Sequence, residues 1–166
     1  MKTLAVPHTI QKLSYTCGPT CLISIMRFYN LEVESERETA RLVGTNKQYG
    51  STAGQLASYL RKRGLNAKIT RRTTIDQVCM ATQKNPVLIL YQKTNRKIQW
   101  NAGHWAVVVG CSKNHLIIVD PSSLKRQTKL SKRAFIRRWY DFNGKTPAYG
   151  VAIFVKTTKN DIIRTD

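Results

Sequence analysis

The hydrophobic positions change their period halfway along the chain. Behind Cys17-Gly18-Pro19, the residues Leu22, Ile25, Met26 and Tyr29 recur three and four apart, which predicts a helix that starts beside Cys17, takes Pro19 as a first helical position and reaches Asn30. A second helix is expected from about Val33 to Val43, with glutamates in its first turn and Gly44 as its stop. A third begins after Ser51 or Thr52, aligns Leu56 with Leu60 and ends at Gly64. Thr74 and Gln77 form a capping-box pattern, so a short fourth helix is expected to about Gln83, before Pro86.

From Pro86 onward the apolar runs become short, β-branched and bounded by turn residues. Pro86 to Tyr91, Trp105 to Gly110, His115 to Val119 and Tyr149 to Val155 read as strands. The turn Ser112-Lys113-Asn114 is short enough to join the second and third as an antiparallel hairpin, and Ser131 to Tyr140 is expected to lie beside the sheet as a helix. The expected class is therefore α+β, an N-terminal helical half packed on a C-terminal antiparallel sheet. With 166 residues, no repeat, no low-complexity tract and no linker, residues 1–166 are expected to form a single domain.

Four residues carry candidate chemistry. Cys17 precedes a predicted helix, where unpaired N–H groups and the positive dipole end favour a thiolate. His104, in Gly103-His104-Trp105, sits at the mouth of an apolar strand, whereas His8 and His115 read as solvated surface residues. Asp120 closes the next strand. If the hairpin turn is centred on Lys113, Asp120 faces Ala106 and His104 becomes its diagonal neighbour on one face, within reach of a carboxylate–imidazole contact. A slip of one residue would separate them. Such a carboxylate orients an imidazole, and the side-chain amide of Gln11 is a candidate donor to a developing oxyanion. Taken singly, each has a plain structural explanation: a small buried thiol, a bonded imidazole, an Asp-Pro turn.

Taken together, Gln11-x5-Cys17-Gly18-Pro19-Thr20-Cys21-Leu22, then Gly103-His104-Trp105-Ala106-Val107-Val108, then Val119-Asp120-Pro121, resemble the bacteriocin-processing, double-glycine leader peptidases, which are papain-like cysteine peptidases. The resemblance runs from Gln11 to about Val155 and implies a papain-like fold. It implies Cys17 as nucleophile, His104 as general base and then acid, Asp120 as orienter, and Gln11 with the Cys17 backbone N–H as oxyanion donors. It implies cleavage after small residues such as Gly-Gly and, as a partner, a peptide-exporting ABC transporter, with no metal and no cofactor. An acyl-transfer or deamidating effector would use the same thioester, so the residues leave that rival open.

Charge changes the picture of the partner more than of the chemistry. The chain carries 28 Lys plus Arg against 9 Asp plus Glu, a net +19. An acidic peptide, an anionic surface or a nucleic acid would each associate faster with it. Nucleic-acid binding or nuclease activity is disfavoured, because no metal-spaced carboxylate pair appears and aromatics do not interleave with Lys and Arg. Arg61 and Arg63 on the third helix, and Arg137 and Arg138 on the late one, are the candidate docking residues for an acidic peptide, with Lys62, Arg71, Arg72 and Arg133 nearby. No apolar run reaches the length of a membrane span and no secretory signal is present, so a cytoplasmic location is expected. Four cysteines without a CxxC pair are expected to be reduced, with Cys21, Cys79 and Cys111 as small buried side chains. A zinc site built on Cys17, Cys21 and His104 or His115 lacks the two tight ligand pairs such sites use.

Overall fold

Helix ends fall where side chains replace missing backbone partners. In the computed structural model, which describes residues 3–93, 103–143 and 146–158, α1 spans Cys17–Phe28, α2 Glu36–Val43, α3 Ala53–Lys62, α4 Ile75–Ala81 and α5 Lys132–Ile136. The Ser35 hydroxyl caps α2, which stops at Gly44 in the left-handed region, with φ 74°. Capping boxes of Thr52 with Gln55 and of Thr74 with Gln77 open α3 and α4. The start of α1 is different: Cys17 itself, not Pro19, is the first helical residue, and Thr16 makes no side-chain cap.

The strands are β1 (Leu65–Thr70), β2 (Val87–Gln92), β3 (Gly103–Cys111), β4 (His115–Val119), β5 (Thr128–Ser131), β6 (Tyr140–Asn143), β7 (Thr146–Tyr149) and β8 (Ala152–Thr157). Six form one antiparallel sheet in the order β1-β8-β2-β3-β4-β5, and β6 pairs with β7. Alternating side chains feed two cores. Trp105, Val107, Val109, Ile117 and Val119 pack with α1 and α3, while Ala106, Val108, Leu116 and Ile118 pack with Val78, Phe135 and Trp139. Because both faces are covered, β2 is buried along its whole length.

The α+β class is as expected, with three corrections to its parts. The sheet begins inside the half read as helical, since β1 pairs with β8 at the far end of the chain. Helix α5 is only five residues long, and Tyr140 already belongs to β6. The last strand is interrupted at Gly150, whose φ is 61° and where an added Cβ would lie 2.6 Å from the Thr73 backbone N. There the chain passes too close to residues 72–73 for any side chain.

A fourth correction concerns the cysteines. Cys79 of α4 and Cys111 of β3, expected as reduced side chains, are joined by a disulfide, with Cα atoms 5.6 Å apart. Packing of α4 across β3 creates that proximity between residues 32 apart in the chain. Cys17 and Cys21 remain free thiols.

The β3–β4 hairpin holds the feature that positions the site. Next to its turn, Cys111 faces Leu116 and Gly110 faces Ile117, the register of a two-residue turn over Lys113-Asn114. A bulge then inserts Val109, and beyond it Val108 faces Ile118 and Val107 faces Val119. Continued without the bulge, the first register would put Asp120 opposite Val107 and on the other face from His104. The bulge restores the register that brings the two together.

Candidate active site

Cys17 stands at the amino end of α1 and is 8% exposed. The loop delivering it is held by one carboxylate. Glu36, in the first turn of α2, accepts the N–H groups of Lys12 and Leu13 at 2.9–3.1 Å and the Thr16 hydroxyl. One turn on, the Cys21 thiol donates to the Trp105 carbonyl at 3.4 Å, tying α1 to β3.

His104 is the second residue of β3, directly opposite Tyr91 of β2, whose ring meets the imidazole edge to face with centroids 5.8 Å apart. His104 Nε2 lies 2.8 Å from Asp120 Oδ1, and both side chains are at most 10% exposed. With Nε2–H donated to Asp120, Nδ1 is the nitrogen left for Cys17, the thiol whose pKa His104 lowers. The same Asp120 oxygen accepts the Ser122 backbone N–H at 2.8 Å and the Ser122 hydroxyl at 2.7 Å.

These contacts shift the three groups in opposite senses. Burial pushes the Cys17 thiol up, but the His104 hydrogen bond and charge, with the Trp105 and Gly18 amides, outweigh it and leave the pKa below its ordinary value. Burial likewise opposes charge on His104, yet Asp120 and Cys17 raise it from 6.5 to about 9. Asp120 is pushed up by burial and pulled further down by His104 and Ser122, ending well below the carboxylate range. Cys21 moves the other way, held protonated by burial and by the neighbouring Cys17 and Asp120. A thiol pulled down beside an imidazole raised to about 9 moves the pair towards thiolate and imidazolium.

The amino-terminal segment straps this arrangement together. Leu4 N–H donates to the carbonyl of the bulge residue Val109, His8 Nε2 lies 3.1 Å from the Asp120 carbonyl, and Gln11 N–H donates to the Pro121 carbonyl. His8 is thus a partner of the Asp120 turn, not the solvated residue expected. Gln11 is brought to the site by its backbone. Its Nε2 donates to Leu13 O at 2.8 Å, and its Oε1 is buried without a partner among the described residues.

Of the candidate docking residues, three are engaged within the fold. Arg61 donates twice to the Ala67 carbonyl on the outer edge of β1, Arg63 pairs with Glu34 at 2.7 Å, and Arg138 binds Lys93 O and lies over the Tyr91 ring. Arg137 caps α5 and is exposed. Sequence reasoning missed Glu36, Ser122 and His8. Ser122 carried a usable signal, since Asp-Pro-Ser is a turn in which an Asp side chain bonds the backbone two residues on. Glu36 and His8 carried none, because their partners are distant in the chain.

A thiol on an early helix, met by an imidazole and a carboxylate from a later antiparallel sheet, defines a papain-like cysteine peptidase. The chain belongs to the Peptidase C39 family, whose sequence profile matches residues 5–143. It is 36% identical over 159 residues to the lactococcin-A transport/processing ATP-binding protein of Lactococcus lactis subsp. lactis, covering 95% of this chain and 20% of that protein. The chain spans about a fifth of the length of the curated relatives it matches. Its fold is similar to the peptidase domain of Streptococcus ComA, a bifunctional ABC transporter involved in quorum sensing, with TM-score 0.71, 25% identity and coverage of 92% and 98% of the two chains. A double glycine motif protease from an AMS/PCAT transporter, solved with its leader peptide, superposes with TM-score 0.68 at 21% identity, covering 94% of each chain.

Proposed function

We propose that this peptidase removes leader peptides by cutting after a Gly-Gly pair, with Cys17 as nucleophile, His104 as base and acid, Asp120 as orienter and Gln11 as oxyanion donor. The observation that carries the reading is the buried His104–Asp120 contact at 2.8 Å beside a Cys17 thiol whose pKa is lowered by His104. The thiolate attacks the scissile carbonyl carbon. The Gln11 side-chain amide and the Cys17 backbone N–H receive the oxyanion, a type of contact worth roughly 3–4 kcal/mol of barrier. His104 Nδ1 protonates the departing amine, leaving a thioester. It then takes a proton from water, which attacks the thioester and frees Cys17. Asp120 keeps Nε2 protonated and Nδ1 aimed at sulfur throughout.

Two findings support the substrate class: relatives named for transport and processing of lactococcin and pediocin, and a structural neighbour bound to a leader peptide. The net charge of +19 suits an acidic leader, with Arg61 and Arg137 the exposed members of the docking set. The names of the same relatives support work beside an ABC transporter, and the proposal places that work on the cytoplasmic side of the membrane. No helix among the described residues is long and apolar enough to cross a membrane. Nothing in the site favours transfer to an acceptor other than water, or nucleic acid.

The test is incubation of the full chain with synthetic leader–cargo peptides ending in Gly-Gly, Ala-Ala or Leu-Leu at the junction, read by mass spectrometry beside Cys17→Ala. Cleavage after Gly-Gly by the wild type alone is expected. Absence of any cleavage, or equal cleavage after Leu-Leu, overturns the proposal.

A further inference from the structure

Where α4 crosses the end of β3, a cleft of about 740 Å³ opens between Leu4, Met80, Lys84 and Gly110, and the Cys79–Cys111 disulfide forms part of its wall. Both cysteines are only half-buried, and Met80 on the rim is 70% exposed. The bridge is therefore open to a small thiol, in contrast to Cys21, which is sealed in the core. Its position is mechanically pointed. Cys111 directly follows Val109 and Gly110, the residues of the bulge that sets the register of His104 against Asp120. On its other side the bulge is held by a strap bond from Leu4 N–H to Val109 O.

We propose that Cys79–Cys111 is a thiol-exchange site for a low-molecular-weight thiol, and that opening it lowers peptidase turnover by releasing the bulged end of β3. A thiolate of the small thiol attacks one sulfur of the bridge. The protein S–S bond breaks, a mixed disulfide forms, and the other cysteine leaves as a thiolate. A second small thiolate then displaces the protein sulfur, so that two small thiols are oxidised to their disulfide. Cys79 and Cys111 gain the two electrons and, with two protons, become thiols. Without the cross-link, the unbulged register of the Lys113-Asn114 turn gains population, and in that register Asp120 and His104 point to opposite faces. The effect falls on kcat and spares KM, because the alignment of the reacting groups changes and the docking surface does not. The turnover half of this inference rests on the peptidase reading above; the exchange half does not.

The full chain, purified without reductant, is unfolded and treated with a maleimide–polyethylene glycol. Two modified cysteines are expected, rising to four after incubation with reduced glutathione; four before reduction overturns the site. The folded, glutathione-reduced protein is expected to melt about 10 °C below the oxidised one, the shift for losing a bridge across a loop of this length. Equal melting temperatures overturn the cross-link's role. After reduction and desalting, kcat on a Gly-Gly peptide is expected to fall about two- to fivefold with KM unchanged. Cys79→Ala/Cys111→Ala is expected to sit at the lower kcat and to ignore glutathione. The reduced wild type makes the same comparison without a variant. Equal kcat before and after reduction overturns the turnover half. Inactivity in both states tells against the peptidase reading, while the maleimide count and the melting temperatures still decide the exchange site.

Discussion

Each residue of the Cys17–His104–Asp120 chain sits where local chemistry had already prepared its state. The Gly18 amide at the amino end of α1 and the Trp105 amide of β3 favour charge on the sulfur, and the Asp-Pro-Ser turn offers two donors to the Asp120 oxygen that receives the imidazole N–H. Cys17→Ala is expected to abolish turnover while leaving the melting temperature within about 2 °C, since the site loses only a nucleophile and a small buried atom. Peptide cleavage and thermal melts on one preparation check both halves. The profile of kcat/KM against pH is expected to rise as the lowered Cys17 thiol ionises and to fall near pH 9, where His104 loses its proton. Asp120→Asn removes the partner that raises His104, so its alkaline limb is expected well below pH 9 and its kcat roughly 10²–10⁴-fold lower. An unmoved alkaline limb would detach Asp120 from His104. The candidates Cys17, His104 and Asp120 could be picked out in the linear chain; Glu36 and His8 could not, because what they hold is brought to them only by folding.

At the scale of elements, the capped helices α2, α3 and α4 follow their sequence signals closely, whereas β1 and the break before β8 do not. Leu65-Asn-Ala-Lys-Ile-Thr70 alternates correctly, with Leu65 and Ala67 inward, but Asn, Ala and Lys are weak strand formers. Pairing with β8 makes it a strand. Gly150 has a matching tertiary reason: its amide and carbonyl bond Trp139 and Thr73, at a φ that disfavours a side chain. Gly150→Ala is expected to destabilise the fold by more than about 2 kcal/mol, because backbone must move to admit a Cβ. Chemical denaturation measures it, and a loss under about 0.5 kcal/mol would show that the crossing relaxes freely. Glu36→Gln keeps the shape but weakens the clamp on residues 12–16. It is expected to lower kcat about tenfold, and rescue by Glu36→Asp would indicate that the charge matters.

For the whole molecule, charge and protonation set the working conditions. A net +19 is expected to make KM for an acidic peptide rise several-fold between 50 and 300 mM salt at nearly constant kcat, and Arg137→Glu is expected to flatten that dependence. A salt-independent KM would remove electrostatic docking. The folded state holds the His104 proton more tightly than the unfolded chain, so that stabilisation is complete below about pH 6.5 and is lost as pH rises towards 9. Asp120 acts in the opposite sense: its contribution is complete above about pH 4 and is lost as pH falls. Between these limits both contribute in full. The gap in melting temperature between wild type and a His104→Gln/Asp120→Asn variant is therefore expected to be level from pH 5 to 6.5 and to narrow towards pH 9. A gap that widened towards pH 9 would reverse the assignment.

Local signals determined what is local: the periods of the helices and strands, the caps that bound them, and the short hairpin turn that had to return one strand along another. They also determined which residue types could do chemistry, because a thiol before a helix and a carboxylate after a strand are properties of neighbours in the chain. Only the tertiary structure decided how these pieces meet. The Val109 bulge, the strap that crosses it, the carboxylate of Glu36 under the Cys17 loop and the bridge from Cys79 to Cys111 all join residues far apart in sequence. Their free energy depends on three-dimensional separation, which no spacing of letters encodes, and one inserted residue in β3 determines whether the imidazole and the carboxylate share a face.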